Sequence, residues 1–183
     1  MCYNTAMKLI IASDIHGSAK WCGELLECFK REKADKLLLL GDILYHGPRN
    51  PLPDEYAPMR VYEMLNGMAD KIIAVRGNCD SEVDQMVLSF NISSDYATVC
   101  DGDIRLHLSH GHRTVPPLTC GDIYLTGHTH VPLNTVESEG YIHLNPGSVS
   151  LPKENSPHGY ILYEDGRFLF KTLDGKVYDE RKV

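Results

Sequence analysis

The sequence predicts an α/β protein with two β-sheets packed together and helices outside them. Three observations carry that prediction. Strand-like and helix-like segments alternate through the first half, a βαβαβ pattern that makes a parallel sheet. In the second half, short strands follow one another through hairpin signals, which predicts antiparallel pairing. Apolar runs repeatedly end in Asp, Asn or His beside Gly, as they do where buried strands deliver polar groups to a sheet edge.

The elements follow in order. Lys8–Ser13 reads as a strand. Ser18 caps a helix running to about Lys33, with Trp21, Leu25, Cys28 and Phe29 at helical spacing. Lys36–Leu40 has no polar alternation, as expected of a parallel strand covered on both faces. Pro58 fits the first turn of a second helix whose stripe is Val61, Leu65 and Met68. Lys71–Val75 is the third strand. Tyr96–Cys100 and Ile104–Leu108 flank Asp101-Gly102-Asp103, a hairpin signal. Strands follow at Ile123–Thr126, Leu133–Glu137 and Tyr141–Leu144, and a hairpin turns at Asp165-Gly166 between Tyr160–Glu164 and Arg167–Thr172. His46–Pro58 holds four of the ten prolines and reads as an ordered loop beside Asp42. Trp21 and Tyr62 fall on apolar stripes and are expected in the core.

The chain has 183 residues, a length that fits one domain spanning 1–183, with Met1–Ala6 expected to be a disordered or non-native extension. A net charge of −7 argues against stable binding of nucleic acid or an anionic membrane. No run approaches the roughly 20 apolar residues of a membrane span. The six cysteines show no tight pairs and no scaffold spacing, so reduced thiols in a cytoplasm are expected.

The chemistry sits in five blocks: Asp14-Ile15-His16, Gly41-Asp42, Gly77-Asn78-Cys79-Asp80, His110-Gly111-His112 and Gly127-His128-Thr129-His130. Each alone has an ordinary reading as a turn, a cap or a solvated loop. Together they supply seven metal-type ligands: Asp14, His16, Asp42, Asn78, His110, His128 and His130. Asp, Asn and imidazole together suit a divalent ion of borderline hardness such as Mn, Fe or Zn. Seven ligands are too many for one open catalytic ion and suit two. Such ions would reverse the local sign of an acidic chain, which makes a phosphate substrate compatible with it.

In this order the blocks, SDIHG, LGDIL, RGNCD, SHGH and TGHTH followed by NPGSVS, resemble the calcineurin-like metallophosphoesterase superfamily. The loop HGPRNPLPDEYAP and the stretch VRGNCDSEVDQM resemble its bacterial YfcE-type phosphodiesterases. The resemblance implies a four-layer α/β sandwich of two mixed sheets flanked by helices, with metals at the strand ends. It assigns Asp14, His16, Asp42 and His130 to a first metal, and Asp42, Asn78, His110 and His128 to a second, with Asp42 bridging. Mn²⁺ is the expected ion, with Zn²⁺, Fe²⁺ or Ni²⁺ as alternatives.

The expected activity is hydrolysis of a small phosphodiester by a hydroxide bridging two metals about 3.5–4 Å apart. Asn78 and His112 are expected to stabilise developing charge, and Arg49 to meet a substrate oxygen. Asp80 is expected to support the ligands from behind by orienting an imidazole. Gly147-Ser148 is expected to shape the wall below the site. Cys79 stands where many superfamily members have His, which predicts weak assistance to poor leaving groups. Two other readings of the same fold remain open: a phosphomonoesterase or protein phosphatase, and a non-catalytic scaffold resembling the retromer subunit. A homodimer or homotetramer is expected.

Overall fold

The computed structural model describes residues 7–183. The expectation for Met1–Ala6 lies outside the described residues. The elements are β1 (Leu9–Ala12), α1 (Ala19–Glu32), β2 (Lys36–Leu39), α2 (Pro58–Asn66), a 3-10 turn (Ala69–Lys71), β3 (Ile72–Ala74), α3 (Glu82–Val87), β4 (Tyr96–Asp101), β5 (Ile104–Ser109), β6 (Ile123–Leu125), β7 (Pro132–Val136), β8 (Ile142–Pro146), β9 (Gly159–Glu164), β10 (Arg167–Thr172) and β11 (Val177–Lys182).

They form two mixed sheets, ordered β11-β10-β9-β1-β2-β3 and β4-β5-β6-β8-β7. In the first, β1, β2 and β3 are parallel, with Ile10 opposite Leu37 and Leu38 opposite Ile73. Period-two alternation with both faces covered explains why β1 and the Leu37–Leu39 part of β2 are apolar. Leu9, Ile11 and Leu38 face a core between the sheets, shared with Leu106, Leu125, Leu144 and Phe168. Ile10, Leu37 and Leu39 face a second core under α1 and α2, shared with Leu25, Val61 and Leu65.

Three features depart from the sequence reading. The second half is not simply antiparallel. β5, β6 and β8 run parallel, because the long segments between them allow crossovers that a tight turn forbids. The β9–β10 hairpin joins the first sheet beside β1 instead of extending the second, and β11 adds a further edge strand. The polar segment Val177–Lys182 hides that strand, since it has no buried face to impose alternation. The helix α3 was also unforeseen: none of its residues is buried, and only the Ser81–Asp84 capping box marks it. The helices packed in the core lie on the first sheet. The outward face of the second sheet instead carries polar side chains such as Thr98, Arg105 and His143.

Candidate metal centre

The five blocks leave the carboxyl ends of β1, β2, β3, β5 and β6 and meet at one end of the two sheets. Short backbone bonds lock the loops together. The amide of Asp14 donates to the carbonyl of Gly41 (3.1 Å), that of His16 to Asp42 (2.9 Å) and that of Gly127 to His110 (3.1 Å). Two glycines are required by this closeness. A Cβ at Gly77 would collide with the carboxylate and amide of Asp42, and one at Gly127 with Ser13 and the Asp14 carboxylate. Among the described residues ten non-glycine positions have left-handed backbone, and five of them are Asp14, His16, Asp42, His128 and His130. Strain concentrated on candidate ligands marks a site where geometry is imposed by function.

Three imidazoles are aimed in the same way. The Nδ1 of His16 bonds to the carbonyl of Tyr45 (2.8 Å), that of His110 to Leu40 (2.6 Å) and that of His130 to Leu151 (2.7 Å). A carbonyl can only accept, so each Nδ1 carries the hydrogen and each neutral ring presents its Nε2 lone pair. Those Nε2 atoms converge. His16 and His130 lie 3.1 Å apart, and both face Asp14 Oδ1 at 3.5 and 3.3 Å. Asp42 Oδ2 stands 3.7 Å from His16 Nε2 and 3.4 Å from His110 Nε2, between the two groups. His110 Nε2 is 3.1 Å from Asn78 Oδ1.

Facing lone pairs repel unless a cation lies between them. Asp14 Oδ1 is buried with no hydrogen-bond donor among the described residues, so a cation would satisfy an otherwise costly group. Asp14, His16 and His130 offer donor atoms within 4.8 Å of one another, as do Asp14, Asp42 and His110. The donor set therefore fits divalent metal. In its absence protons take the cationic part. Burial opposes ionisation of Asp14, yet the His130 and His16 imidazoles hold its carboxyl well below the usual range. Burial also disfavours the charged His110 ring, but Asp42 and Asp14 raise its pKa to about 9.

The calcineurin-like phosphoesterase superfamily domain matches residues 7–165. The chain belongs to that superfamily. It is 51% identical over 164 residues to Phosphodiesterase YfcE of Escherichia coli K12, covering 87% of this chain and 88% of that protein. The solved structure of the E. coli phosphoesterase YfcE superposes with a TM-score of 0.92 at 45% identity, covering 96% of this chain and 99% of that one. Vacuolar Protein Sorting 29 from Cryptosporidium parvum shares the fold at a TM-score of 0.63 and 18% identity, covering 98% of this chain and all of that one (100%).

Within this phosphoesterase domain the remaining sequence-predicted residues occupy distinct places. His128 is half-buried, its ring centroid 5.1 Å from that of His110, and its amide donates to Asp14 Oδ2 at 3.0 Å. His112 stands beside both, 5.4 Å from His110 and 6.1 Å from His128 between centroids. Burial first, then the His110 charge, lowers the pKa of His112, so its ring is neutral near pH 7. Asn78 is exposed, and its amide NH₂ donates to Cys79 Sγ at 3.2 Å. Cys79 belongs to the cluster, its sulfur within 4.8 Å of donor atoms on His16 and Asp42. Burial, then the Asp42 carboxylate, pushes the Cys79 thiol far up. Arg49 lines a cleft of about 520 Å³ over the cluster, together with Asn78, Cys79 and His128.

Asp80 requires a correction. It orients no imidazole. Its carboxylate accepts from the amides of Asp42 (2.9 Å), Gly77 (2.7 Å) and Ile43 (2.8 Å), so it ties two ligand loops through their backbones. Burial and the Asp42 charge outweigh those donors and raise its pKa to about 6.

The NPGSVS segment also does more than shape a wall. Asn145 Nδ2 donates to the carbonyl of Gly127 (2.7 Å), and the hydroxyls of Ser148 and Ser150 donate to the Asp14 carbonyl (2.8 and 3.0 Å). Trp21 is only partly buried and stacks on His158 at 3.7 Å, and Tyr62 is likewise partly buried against the helix-side core. Lys153, which the sequence reading passed over, joins the cleft wall. No local motif in the sequence marks it.

Proposed function

We infer that this chain is a metal-dependent phosphodiesterase, a phosphoric diester hydrolase. The single observation that carries the reading is the convergence of three carbonyl-locked imidazoles on two buried carboxylates under an open cleft. In the proposed binuclear assignment, Asp14, His16, Asp42 and His130 hold one divalent ion. Asp42, Asn78, His110 and His128 hold the other. The place of Asp42 Oδ2 between His16 and His110 supports its bridging role. Manganese is the proposed ion, with zinc, iron or nickel as alternatives of similar ligand preference.

When bound, two such ions polarise the phosphoryl oxygens and lower the pKa of a water nucleophile. The protein's own residues hold and orient. Asp80 and the three histidine-gripping carbonyls keep the donors in place, so little reorganisation is needed as charge develops. Asn78 offers an amide NH₂ to a phosphoryl oxygen, and neutral His112 offers one ring N–H. Arg49 presents a guanidinium fork from the rim. Cys79, held as a neutral thiol, is a poor proton donor to a departing alkoxide. The reading therefore favours a diester with a good leaving group over an ordinary monoester.

We further propose a cytoplasmic enzyme of one domain that acts as a homodimer or homotetramer on a small diester. Cys22, Cys28, Cys79, Cys100 and Cys120 are all unpaired, which suits a reducing compartment. Among the described residues no helix is long and apolar enough to cross a membrane. Val83, Met86 and Val87 form an exposed apolar stripe on α3, a surface that supports self-association. The test is reconstitution. Chelated protein, shown by elemental analysis to be metal-free, is expected to leave bis(4-nitrophenyl) phosphate intact, and Mn²⁺ is expected to restore turnover. Turnover by protein with no metal would overturn the reading.

A further inference from the structure

The chain has 25 acidic residues against 18 basic ones, yet the cleft over the metal cluster has the opposite balance. Among the described residues its only lining carboxylate is Asp42, at the floor, and two cations, Arg49 and Lys153, stand in its walls. Arg49 is unusual among the eight arginines. The other seven each make an ion pair or side-chain hydrogen bond. Among the described residues the guanidinium of Arg49 has neither, and neither has the ammonium of Lys153.

Both are carried on braced backbone. The Lys153 amide donates to the carbonyl of His130 at 3.1 Å, so the lysine is fixed relative to a candidate ligand. Asn50 Nδ2 donates to the carbonyl of His46 at 2.8 Å, and Gly47 packs so closely on Cys79 that a Cβ there would lie 2.8 Å from its sulfur. The Arg49 loop is thus fastened to the cluster as well.

Charge arithmetic says what such cations are for. Two divalent ions contribute four positive charges. Asp14, Asp42 and an ionised water would offset three of them. The surplus of one already matches the single charge of a phosphodiester. Arg49 and Lys153 then remain as further positive charges with no partner among the described residues. A cleft of about 520 Å³ also has room for far more than a phosphoryl group.

We propose that Arg49 and Lys153 form an anion subsite beside the metal centre, and that the preferred substrate is a diester bearing a second anionic group on an ester arm, a carboxylate or a further phosphoryl. The inference rests on the phosphodiesterase reading. Arg49 supplies a planar fork suited to oxyanions, and Lys153 a point charge on a mobile stem.

Two synthetic diesters separate the two readings. Both release 4-nitrophenolate; one carries a 4-carboxyphenyl arm and the other a neutral 4-carbamoylphenyl arm of nearly the same shape. The Mn²⁺-reconstituted enzyme is expected to prefer the carboxylate by about tenfold in kcat/KM, the scale of one charge-assisted contact. Lys153→Met and Arg49→Met are each expected to bring that ratio towards one, and Lys153→Glu to invert it. Calorimetry gives a readout without turnover: Lys153→Met should weaken binding of inorganic pyrophosphate more than binding of orthophosphate. Hydrolysis of both diesters at equal rates, with the ratio unmoved in all three variants, would overturn the subsite and leave the phosphodiesterase reading standing. No nitrophenolate from either would overturn both.

Discussion

The two halves of the candidate metal centre are built to different standards. Around Asp14, His16 and His130 every donor side chain is at most 3% exposed, and two Nδ1–H groups are fixed to carbonyls. Around Asn78, His110 and His128 only His110 is held and buried that way. Asn78 is exposed and His128 is half-buried. Preorganised, dry donors bind a cation more tightly than solvated ones that must be immobilised first. On the proposed binuclear assignment, the first half would serve as a holding site and the second as an open one, where coordination could be exchanged with substrate, with Asp42 shared between them.

The largest expected effect follows from the joint. Asp42→Asn should cut metal content at both halves and lower kcat by more than about 100-fold, since loss of even a supporting partner costs about 10–100-fold. Asp14→Asn should strip the buried half and leave the open half partly loaded. Asn78→Ala should do the reverse and retain one ion per chain. If Asn78→Ala loses both ions while Asp14→Asn keeps both, the order of the halves is wrong.

Next in size is the scaffold behind Asp42. Asp80→Asn keeps the shape but replaces one acceptor oxygen with an NH₂ turned on backbone amides, at a cost of about 1–3 kcal/mol for the unsatisfied donors. Thermal unfolding of metal-free protein should show a Tm several degrees lower. An unchanged Tm would mean that Asp80 does not tie the loops.

Cys79 gives the smallest effect. With its thiol held neutral, Cys79→Ala should change kcat/KM on bis(4-nitrophenyl) phosphate by less than about threefold, a small fraction of the 10²–10⁴ range of general acid catalysis. Cys79→His cannot simply restore a superfamily-type acid, because the sulfur already packs against Gly47. The imidazole must turn into the cleft that Cys79 lines or displace the Arg49 loop. A gain on alkyl leaving groups in Cys79→His, with the carboxylate preference preserved, would show that the ring is accommodated without disturbing that loop.

The contrast between local words and distant chain explains what could be read from sequence. Candidate ligands of both halves could be proposed because they stand in short local words after apolar runs: Asp14-x-His16 after β1, Asp42 after four leucines, Asn78 after β3, His110 after β5 and His128-x-His130 after β6. Alternation and apolar runs also identified β1 to β3 and both hairpins. Hidden from sequence was whatever depends on distant chain. Nothing in Asp80 says that three amides from two loops will converge on it. Nothing in Lys153 says that its amide will dock on His130. The β9–β10 hairpin was visible, but its place beside β1 is decided by which apolar faces meet between the sheets. The polar edge strand β11 has no buried face to announce it.

The central claim is that one carboxylate serves two unequal metal sites, and stepwise removal of metal tests it most directly. Protein loaded with Mn²⁺ is titrated with a chelator while bound metal is counted per chain by elemental analysis. The wild type should begin at two ions and lose one well before the other. Asn78→Ala should begin at one ion that resists the chelator, and Asp42→Asn should retain little of either. Two ions lost together from the wild type, or two tightly held ions in Asp42→Asn, would contradict the account.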